Sequence, residues 1–269
     1  MEKIRLDLYL TLNNYVSSRN KACQLIKNNN VMVNDKIVST NSYLVKDSDI
    51  VKIIDDKVLN YVSRGGLKLQ KALVYFKVDL TGLVVLDIGA STGGFSDCAI
   101  KHQAKLVYAL DVGENQLDSR LRNNDKIISL ENTNFKDVTK EMFKHKIDFY
   151  VCDVSFISIT TILLKLQEFD DNFNIILLYK PQFEVGRANL NKHGLVKSNK
   201  ILKDNLKIFI DFLRFHDIGL IDATYSPITG NKQGNIEFLF YLKNKAKSNY
   251  VDVDKLVNEA NKELRNKDD

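Results

Sequence analysis

Residues 84–95, Val-Val-Leu-Asp-Ile-Gly-Ala-Ser-Thr-Gly-Gly-Phe, restrict the fold more than any other part of the chain. An apolar run interrupted only by Asp87 passes directly into a loop with three glycines, and then into a helical pattern. A near-continuous apolar run suits a parallel strand covered on both faces. Glycines let the chain turn tightly and let a ligand approach the backbone where a Cβ would collide. Strand, glycine-rich turn and helix in that order deliver a ligand to the carboxyl edge of an α/β sheet. The loop lacks the Lys-Ser/Thr ending of a triphosphate-binding loop, and its spacing is not Gly-x-Gly-x-x-Gly. Both differences argue against nucleotide hydrolysis and hydride transfer.

The rest of the chain from Ser63 onward supports such a sheet. Helical spacing covers Arg64–Phe76, Phe95–His102 and Ile201–His216, and a charged amphipathic helix covers Val251–Leu264. Strands are expected at Val84–Ile88, Lys105–Leu110, Ile127–Leu130, Phe149–Cys152 and Ile175–Tyr179, with late strands around Ile218–Ser226 and Glu237–Leu242. Alternation of this kind implies a mostly parallel sheet with helices on both faces. The last two strands, joined through Pro227 and Gly230, read as antiparallel. Residues 186–196 are polar and aperiodic, the pattern of a loop that substrate could order.

The first 57 residues form a separate pattern. Ile4-Arg5-Leu6-Asp7-Leu8-Tyr9-Leu10 begins a short helix, and Ser17 or Ser18 can cap a second over Arg19–Lys27. Asn28, Asn29 and Asn30 stop that helix, and Val31–Val33 and Ile50–Ile54 read as strands with a turn at Asn34-Asp35. At 269 residues and 44% hydrophobic content the chain can hold one large and one small domain, which excludes wholesale disorder. A net charge of +5 suits a polyanionic partner without requiring one. Cys23, Cys98 and Cys152 lack metal-ligand spacing and read as reduced core thiols, so no metal site is expected. There is no apolar leader behind Met1-Glu2-Lys3 and no run long enough to span a bilayer, so a soluble, cytoplasmic protein without a membrane partner is expected.

The glycine loop leaves S-adenosylmethionine as the leading ligand, with Asp87, Gly89, Ala90, Ser91, Gly93, Gly94 and Phe95 as its cradle. Asp111 ends the next strand, where a carboxylate can accept from ribose hydroxyls. After the third strand, Asn134 is placed to read the adenine edge and Phe135 to pack against the base. Four further ionisable residues fall where a sheet edge would gather them. Lys68 lies on the helix before the glycine strand, Asp153 and Lys180 end strands, and Glu237 opens a late one.

Lys68, Asp153, Lys180 and Glu237 match the Lys-Asp-Lys-Glu tetrad of the FtsJ-like ribose 2′-O-methyltransferases. The fuller strings are Tyr61-Val62-Ser63-Arg64-Gly65-Gly66-x-Lys68-Leu69, Asp153-Val154-Ser155-Phe156-Ile157-Ser158, Lys180-Pro181-Gln182-Phe183-Glu184-Val185-Gly186 and Gly234-Asn235-x-Glu237. With these, almost the whole chain resembles the TlyA family of ribosomal RNA cytidine 2′-O-methyltransferases. One departure is the bridge, where relatives can carry an Arg-Ala-Trp type sequence and this chain has Leu59-Asn60-Tyr61.

The N-terminal pattern resembles the small RNA-binding domain called the alpha-L motif. It does so through Arg5-Leu6-Asp7, Ser18-Arg19, Ala22, Leu25-Ile26, Val31-x-Val33-Asn34 and Asp49-x-Val51. Two glycines usual in that family are Asn29 and Asp35 here, residue types that tolerate positive φ.

The resemblance implies an α/β fold: a Rossmann-like class I methyltransferase sheet with a small N-terminal α+β RNA-binding domain. It places the RNA-binding domain at residues 1–57, a linker at 58–62 and the methyltransferase domain at 63–269. Arg5, Arg19, Lys21, Lys27 and Arg64 are the expected RNA contacts, and Arg187, Lys192 and Lys197 would extend the track to the crevice. Asp153 is expected to touch the cofactor as well as belonging to the tetrad. A ribose hydroxyl is a poor nucleophile, so the site must align oxygen, methyl and sulfur and remove a proton. Lys180 is the expected general base. Lys68 orients the hydroxyl or stabilises developing oxyanion charge, and the two carboxylates hold the amines. The expected partner is ribosomal RNA, folded or in an assembled subunit, with no obligate protein partner. Two other classes compete: an inert RNA-binding assembly factor, and a pore-forming haemolysin, a label this family has carried.

Overall fold

In the computed structural model, which describes residues 3–16, 18–27, 30–34, 36–53, 61–230 and 234–265, the first helix starts later than its apolar spacing suggests. Ile4–Arg5 is a short strand, β1, and α1 is Leu6–Leu12. Arg5 is extended, and the N–H of Leu6 donates to the Tyr43 carbonyl at 2.7 Å. A pairing partner distant in sequence thus overrides local helical spacing. β1 runs antiparallel to β4 (Leu44–Val45).

The chain divides into two units, Met1–Ser63 and Arg64–Asp269. In the first, α2 is Arg19–Lys27, and the Ser18 hydroxyl accepts from the Lys21 N–H at 3.4 Å. Ser17, Asn28, Asn29, Asp35 and residues 54–60, which include most of the expected linker, lie outside the described residues. β2 (Val31–Val33) pairs antiparallel with both β3 (Lys36–Ile37) and β5 (Val51–Ile53). Leu6 and Leu10 of α1 pack with Ala22, Leu25 and Ile26 of α2 and with Val31, Val33 and Val51 of the sheet.

The second unit begins with α3 (Gly65–Phe76) and β6 (Val84–Ile88). α4 (Gly94–Lys101), β7 (Leu106–Leu110), α5 (Ser119–Arg122) and β8 (Ile127–Leu130) follow. Next come β9 (Phe149–Cys152), α6 (Ile159–Phe169), β10 (Asn174–Tyr179) and α7 (Pro181–Glu184). The unit closes with α8 (Asn199–Phe215), β11 (Ile218–Tyr225), β12 (Phe238–Asn244) and α9 (Val253–Arg265).

Among the described residues the sheet has seven strands, in the order β11-β12-β10-β9-β6-β7-β8. The run from β10 to β8 is parallel, and β12 and β11 add antiparallel, as the sequence implies. In this register Asp87 lies between Ala109 and Val151, so the ends of β6, β7 and β9 open on one edge. α3 packs on α4 and β12, while α8 packs on α9 and β11. Tyr179 and the rings of Phe209 and Phe240 fill the space under α8, with Tyr179 and Phe209 centroids 4.5 Å apart.

α6 has no counterpart in the sequence reading. It buries Ile159, Ile162, Leu163, Leu166 and Phe169 at helical spacing. No helix among the described residues is long and apolar enough to cross a membrane.

Candidate active site

Strand ends and one helix bring the four ionisable residues together. Asp153 directly follows β9, its N–H donating to the Ile88 carbonyl at 3.1 Å, and Lys180 directly follows β10. Lys68 projects from the first turn of α3. Glu237 was expected to open the last strand, but the ladder begins one residue later, at Phe238. The Glu237 carbonyl still accepts from the Ser226 N–H at 2.8 Å, which fixes the backbone while the side chain turns to the edge.

The four form an alternating chain of charge. Lys68 Nζ donates to Glu237 Oε2 at 2.7 Å and lies 3.8 Å from Asp153 Oδ2. Lys180 Nζ lies 2.6 Å from Asp153 Oδ1, an ion pair whose angles fall outside hydrogen-bond geometry, and donates to Ser155 Oγ at 2.8 Å. Glu237 and Lys180 are buried, and Lys68 and Asp153 are mostly so. Removing one member of such a set would leave its partner charged and uncompensated.

Four residues that the sequence reading left without a role belong to the same site. Ser155 accepts from Lys180, and Gln182 Nε2 donates to Glu237 Oε1 at 3.2 Å. Glu184 accepts from Ser158 Oγ at 2.7 Å and from the Ile159 N–H at 2.8 Å, tying α7 to the loop before α6. Phe156 has φ +64° and is 90% exposed, with the Phe183 ring 5.0 Å away. A bulky residue held in left-handed backbone beside reactive groups is a strained position of the kind found at functional sites. The only sequence signal for these residues was membership in the strand-end strings.

The glycine loop sits beside this cluster. Gly89 has φ +84°, and a Cβ there would lie 2.9 Å from Val154 Cγ1 and 3.0 Å from the Asp153 carbonyl oxygen. Gly93 has φ +90°, and a Cβ would meet Leu117 and Leu121. Ser91 is exposed at the loop tip, and its N–H donates to Asp111 Oδ2 at 2.8 Å; Asp111 Oδ1 accepts from the Gly113 N–H at 2.7 Å. Asp111 is thereby held at the mouth of the loop by two backbone donors. Ala90 is buried, and Gly94 and Phe95 start α4.

Asp87 is fully buried beneath the loop. Ser96 Oγ donates to its Oδ2 at 2.6 Å, and Oδ1 has no partner among the described residues. Burial pushes this carboxyl up to about 7; the Ser96 hydrogen bond opposes that and the charges of Asp153 and Asp111 add to it. A cradle that admits no Cβ, an acid without a second partner beneath it and a carboxylate at its mouth fit the amino acid and ribose parts of S-adenosylmethionine.

One expectation for this side needs correction. Phe135 does not face a ligand: it is 2% exposed and meets the Phe169 ring at 6.2 Å, a core position. Asn134 is exposed, and its Oδ1 accepts from the Lys136 N–H at 3.1 Å and caps the turn Phe135–Asp137. The Phe95 ring is likewise internal, so what it offers the cradle is backbone.

In the first unit, Asp7 gathers two arginines. Arg5 Nε lies 3.0 Å from Asp7 Oδ1, and Arg19 Nε donates to Oδ2 at 2.9 Å. Arg19 and Lys27 are eight residues apart on α2, which puts them on one side of the helix. Lys21 is off that side, its Nζ 3.5 Å from the Tyr61 carbonyl oxygen. Arg64 precedes α3 in the second unit. Residues 186–196, expected as an aperiodic loop, are held by bonds within the segment and to Lys197 and Asn235. Leu190 bridges Val196, Lys197 Nζ donates to the Ala188 carbonyl at 2.7 Å, and the Val196 N–H donates to Asn235 Oδ1 at 2.8 Å.

Residues 61–244 match the FtsJ-like methyltransferase family, and residues 4–51 match the S4 domain. Hemolysin A of Brachyspira hyodysenteriae is 43% identical over 242 residues, 88% of this chain and 98% of that protein. The 23S rRNA (cytidine-2′-O)-methyltransferase TlyA of Campylobacter jejuni is 38% identical over 84% of this chain and 95% of its own length. The chain belongs to the TlyA/hemolysin A family. A solved structure named as a hemolysin of Streptococcus thermophilus superposes with a TM-score of 0.78 at 34% identity, covering 100% of this chain and 99% of that one. The TlyA-family assignment agrees with both halves of the sequence reading, an FtsJ-like domain preceded by a small RNA-binding module.

Proposed function

We propose that this TlyA-family chain methylates the ribose 2′-hydroxyl of a cytidine in ribosomal RNA, using S-adenosylmethionine and recognising folded RNA or an assembled subunit. The observation that carries the reading is the alternating Glu237–Lys68–Asp153–Lys180 chain placed directly against the glycine cradle, where Gly89 and Asp153 all but touch. Bound in that cradle, S-adenosylmethionine supplies a methyl group already activated by its sulfonium. What the protein must add is alignment and removal of one proton.

Lys180 performs the proton step. As the 2′-oxygen–methyl bond forms and the methyl–sulfur bond breaks, the hydroxyl proton passes to Lys180 Nζ, which must first have released to solvent the proton of its Asp153 ion pair, and the bonding pair stays on sulfur. Asp153 and Ser155 hold that nitrogen at the edge. Lys68, gripped by Glu237, lies on the other side of Asp153 and stabilises charge that develops on the oxygen. The Phe156 ring, exposed beside Ser155, offers a face on which an unstacked base can rest. Arg5 and Arg19, held by Asp7, supply phosphate contacts that orient the RNA without reading its sequence.

The test maps 2′-O-methyl groups on both ribosomal RNAs from cells with and without the gene. Loss of methylation at a defined cytidine supports the reading, and identical maps overturn it.

A further inference from the structure

We propose that Gln182 is a positioning residue for the tetrad, holding the Glu237 carboxylate in the orientation that grips Lys68 and acting on the reaction only through that carboxylate. The inference rests on the methyltransferase reading above and deepens it.

Among the described residues, each Glu237 carboxylate oxygen has one side-chain donor. Oε2 receives the Lys68 ammonium at 2.7 Å, and Oε1 receives Gln182 Nε2 at 3.2 Å. Gly230 closes the remaining side, since a Cβ there would lie 3.0 Å from Oε1. Without the Gln182 donor, the Lys68 contact alone would set the carboxylate's rotation about its last bond, leaving Oε1 with no polar partner among these neighbours. The amide orientation is fixed by the same contact, because the reversed amide would set its oxygen against a carboxylate oxygen.

That orientation has a cost. Gln182 Oε1 is buried and has no hydrogen-bond partner among the described residues. An unsatisfied buried acceptor costs about 1–3 kcal/mol. An apolar side chain of similar shape would avoid that cost but leave the buried Glu237 Oε1 without its donor, so what accounts for glutamine here is the contact to Glu237. Gln182 also sits on a braced element: α7 carries Lys180 at its N-cap and Glu184 at its end, and Glu184 is bonded to Ser158 and Ile159. One short helix therefore sets Lys180 directly and Glu237 through an amide.

The test is Gln182→Met in the full chain, with S-adenosylmethionine binding, thermal unfolding and steady-state methylation of ribosomal subunits as readouts. Expected are a Tm little changed, because relief of the unpaired Gln182 Oε1 offsets loss of the donor to Glu237 Oε1, unchanged cofactor affinity and RNA KM, and a kcat lower by ~10-fold, the scale of a small misplacement of a reacting group. In a Glu237→Gln background the same change should lower kcat no further. Wild-type kcat in Gln182→Met, a kcat loss that tracks a falling Tm, or full additivity with Glu237→Gln would each overturn the proposal. A wild-type protein that methylates neither ribosomal RNA sinks the parent reading instead. The crystal structure of Gln182→Met then still decides: Glu237 rotated away from Lys68 supports the positioning role, and an intact contact overturns it.

Discussion

The backbone at Gly89 passes so close to Asp153 that a Cβ on the glycine would lie 3.0 Å from the aspartate's carbonyl oxygen. The turn after β6 and the turn after β9 are thus packed backbone to backbone, which sets the glycine loop and the Asp153 turn side by side at the sheet edge. Gly89→Ala should disturb both at once. Its φ of +84° is already unfavourable for any L side chain, and the added Cβ would press on Val154 Cγ1 and on the Asp153 carbonyl. The expected outcome is a loss of about 1–3 kcal/mol of stability together with weakened S-adenosylmethionine binding. Thermal unfolding with and without the cofactor, and calorimetry for its affinity, check both parts.

Lys180→Ala should abolish methyl transfer while leaving cofactor affinity within about threefold, because Lys180 faces Asp153 and Ser155 and not the glycine loop. General-base removal costs about 10²–10⁴ in rate. Lys180→Arg should not restore it, since a guanidinium stays protonated and cannot accept the proton. Single-turnover methylation assays on ribosomal subunits separate the two outcomes. Substantial turnover by Lys180→Arg would show that the residue serves as a fixed charge.

Phe156→Ala should spare the fold and impair RNA methylation. The ring is almost wholly in solvent, so truncation removes little buried surface. A base stacked on an aromatic face is worth about 1–3 kcal/mol, and that much transition-state or substrate binding should be lost. Comparing kcat/KM for Phe156→Ala, Phe156→Leu and Phe156→Trp is diagnostic: tryptophan retains activity if stacking is the role, whereas leucine does not.

The strand positions, the mostly parallel sheet with its antiparallel last pair, and the meeting of four ionisable residues at one sheet edge were legible in the chain, since long apolar runs and strand-end acids and lysines depend on local pattern; the order of the strands was not. Ile4–Arg5 was not, because its pairing with Leu44–Val45 is nonlocal and two residues carry no period. Phe135 misled for a related reason. Its position after a strand suits a ligand contact, but the neighbour that claims it, Phe169 on the unforeseen α6, comes from elsewhere in the chain. Gln182 and Glu184 were visible as letters in a string. Their roles depend on which carboxylate and which helix terminus they meet, and only the fold supplies those partners.

Asp7 gives the first unit a pH signature. The Arg5 hydrogen bond, with that from Arg19, holds its carboxyl near 2 against an ordinary 3.8, and burial opposes them without prevailing. A carboxyl whose folded value is depressed adds stability that is complete above its unfolded value and disappears as pH falls through its folded value. The contribution should therefore be intact above about pH 4 and lost on the way to about pH 2. Its size is about 1–2 kcal/mol, because both arginines are half in solvent and their pull is screened. Asp7→Asn should lower stability by that amount at pH 7, and the wild-type and variant unfolding curves should converge near pH 2. The same variant releases Arg5 and Arg19 from a fixed geometry, so RNA affinity should fall even though net positive charge rises. Filter binding at several salt concentrations tests this. Tighter binding by Asp7→Asn would show that bulk charge, and not the ordered pair, holds the RNA.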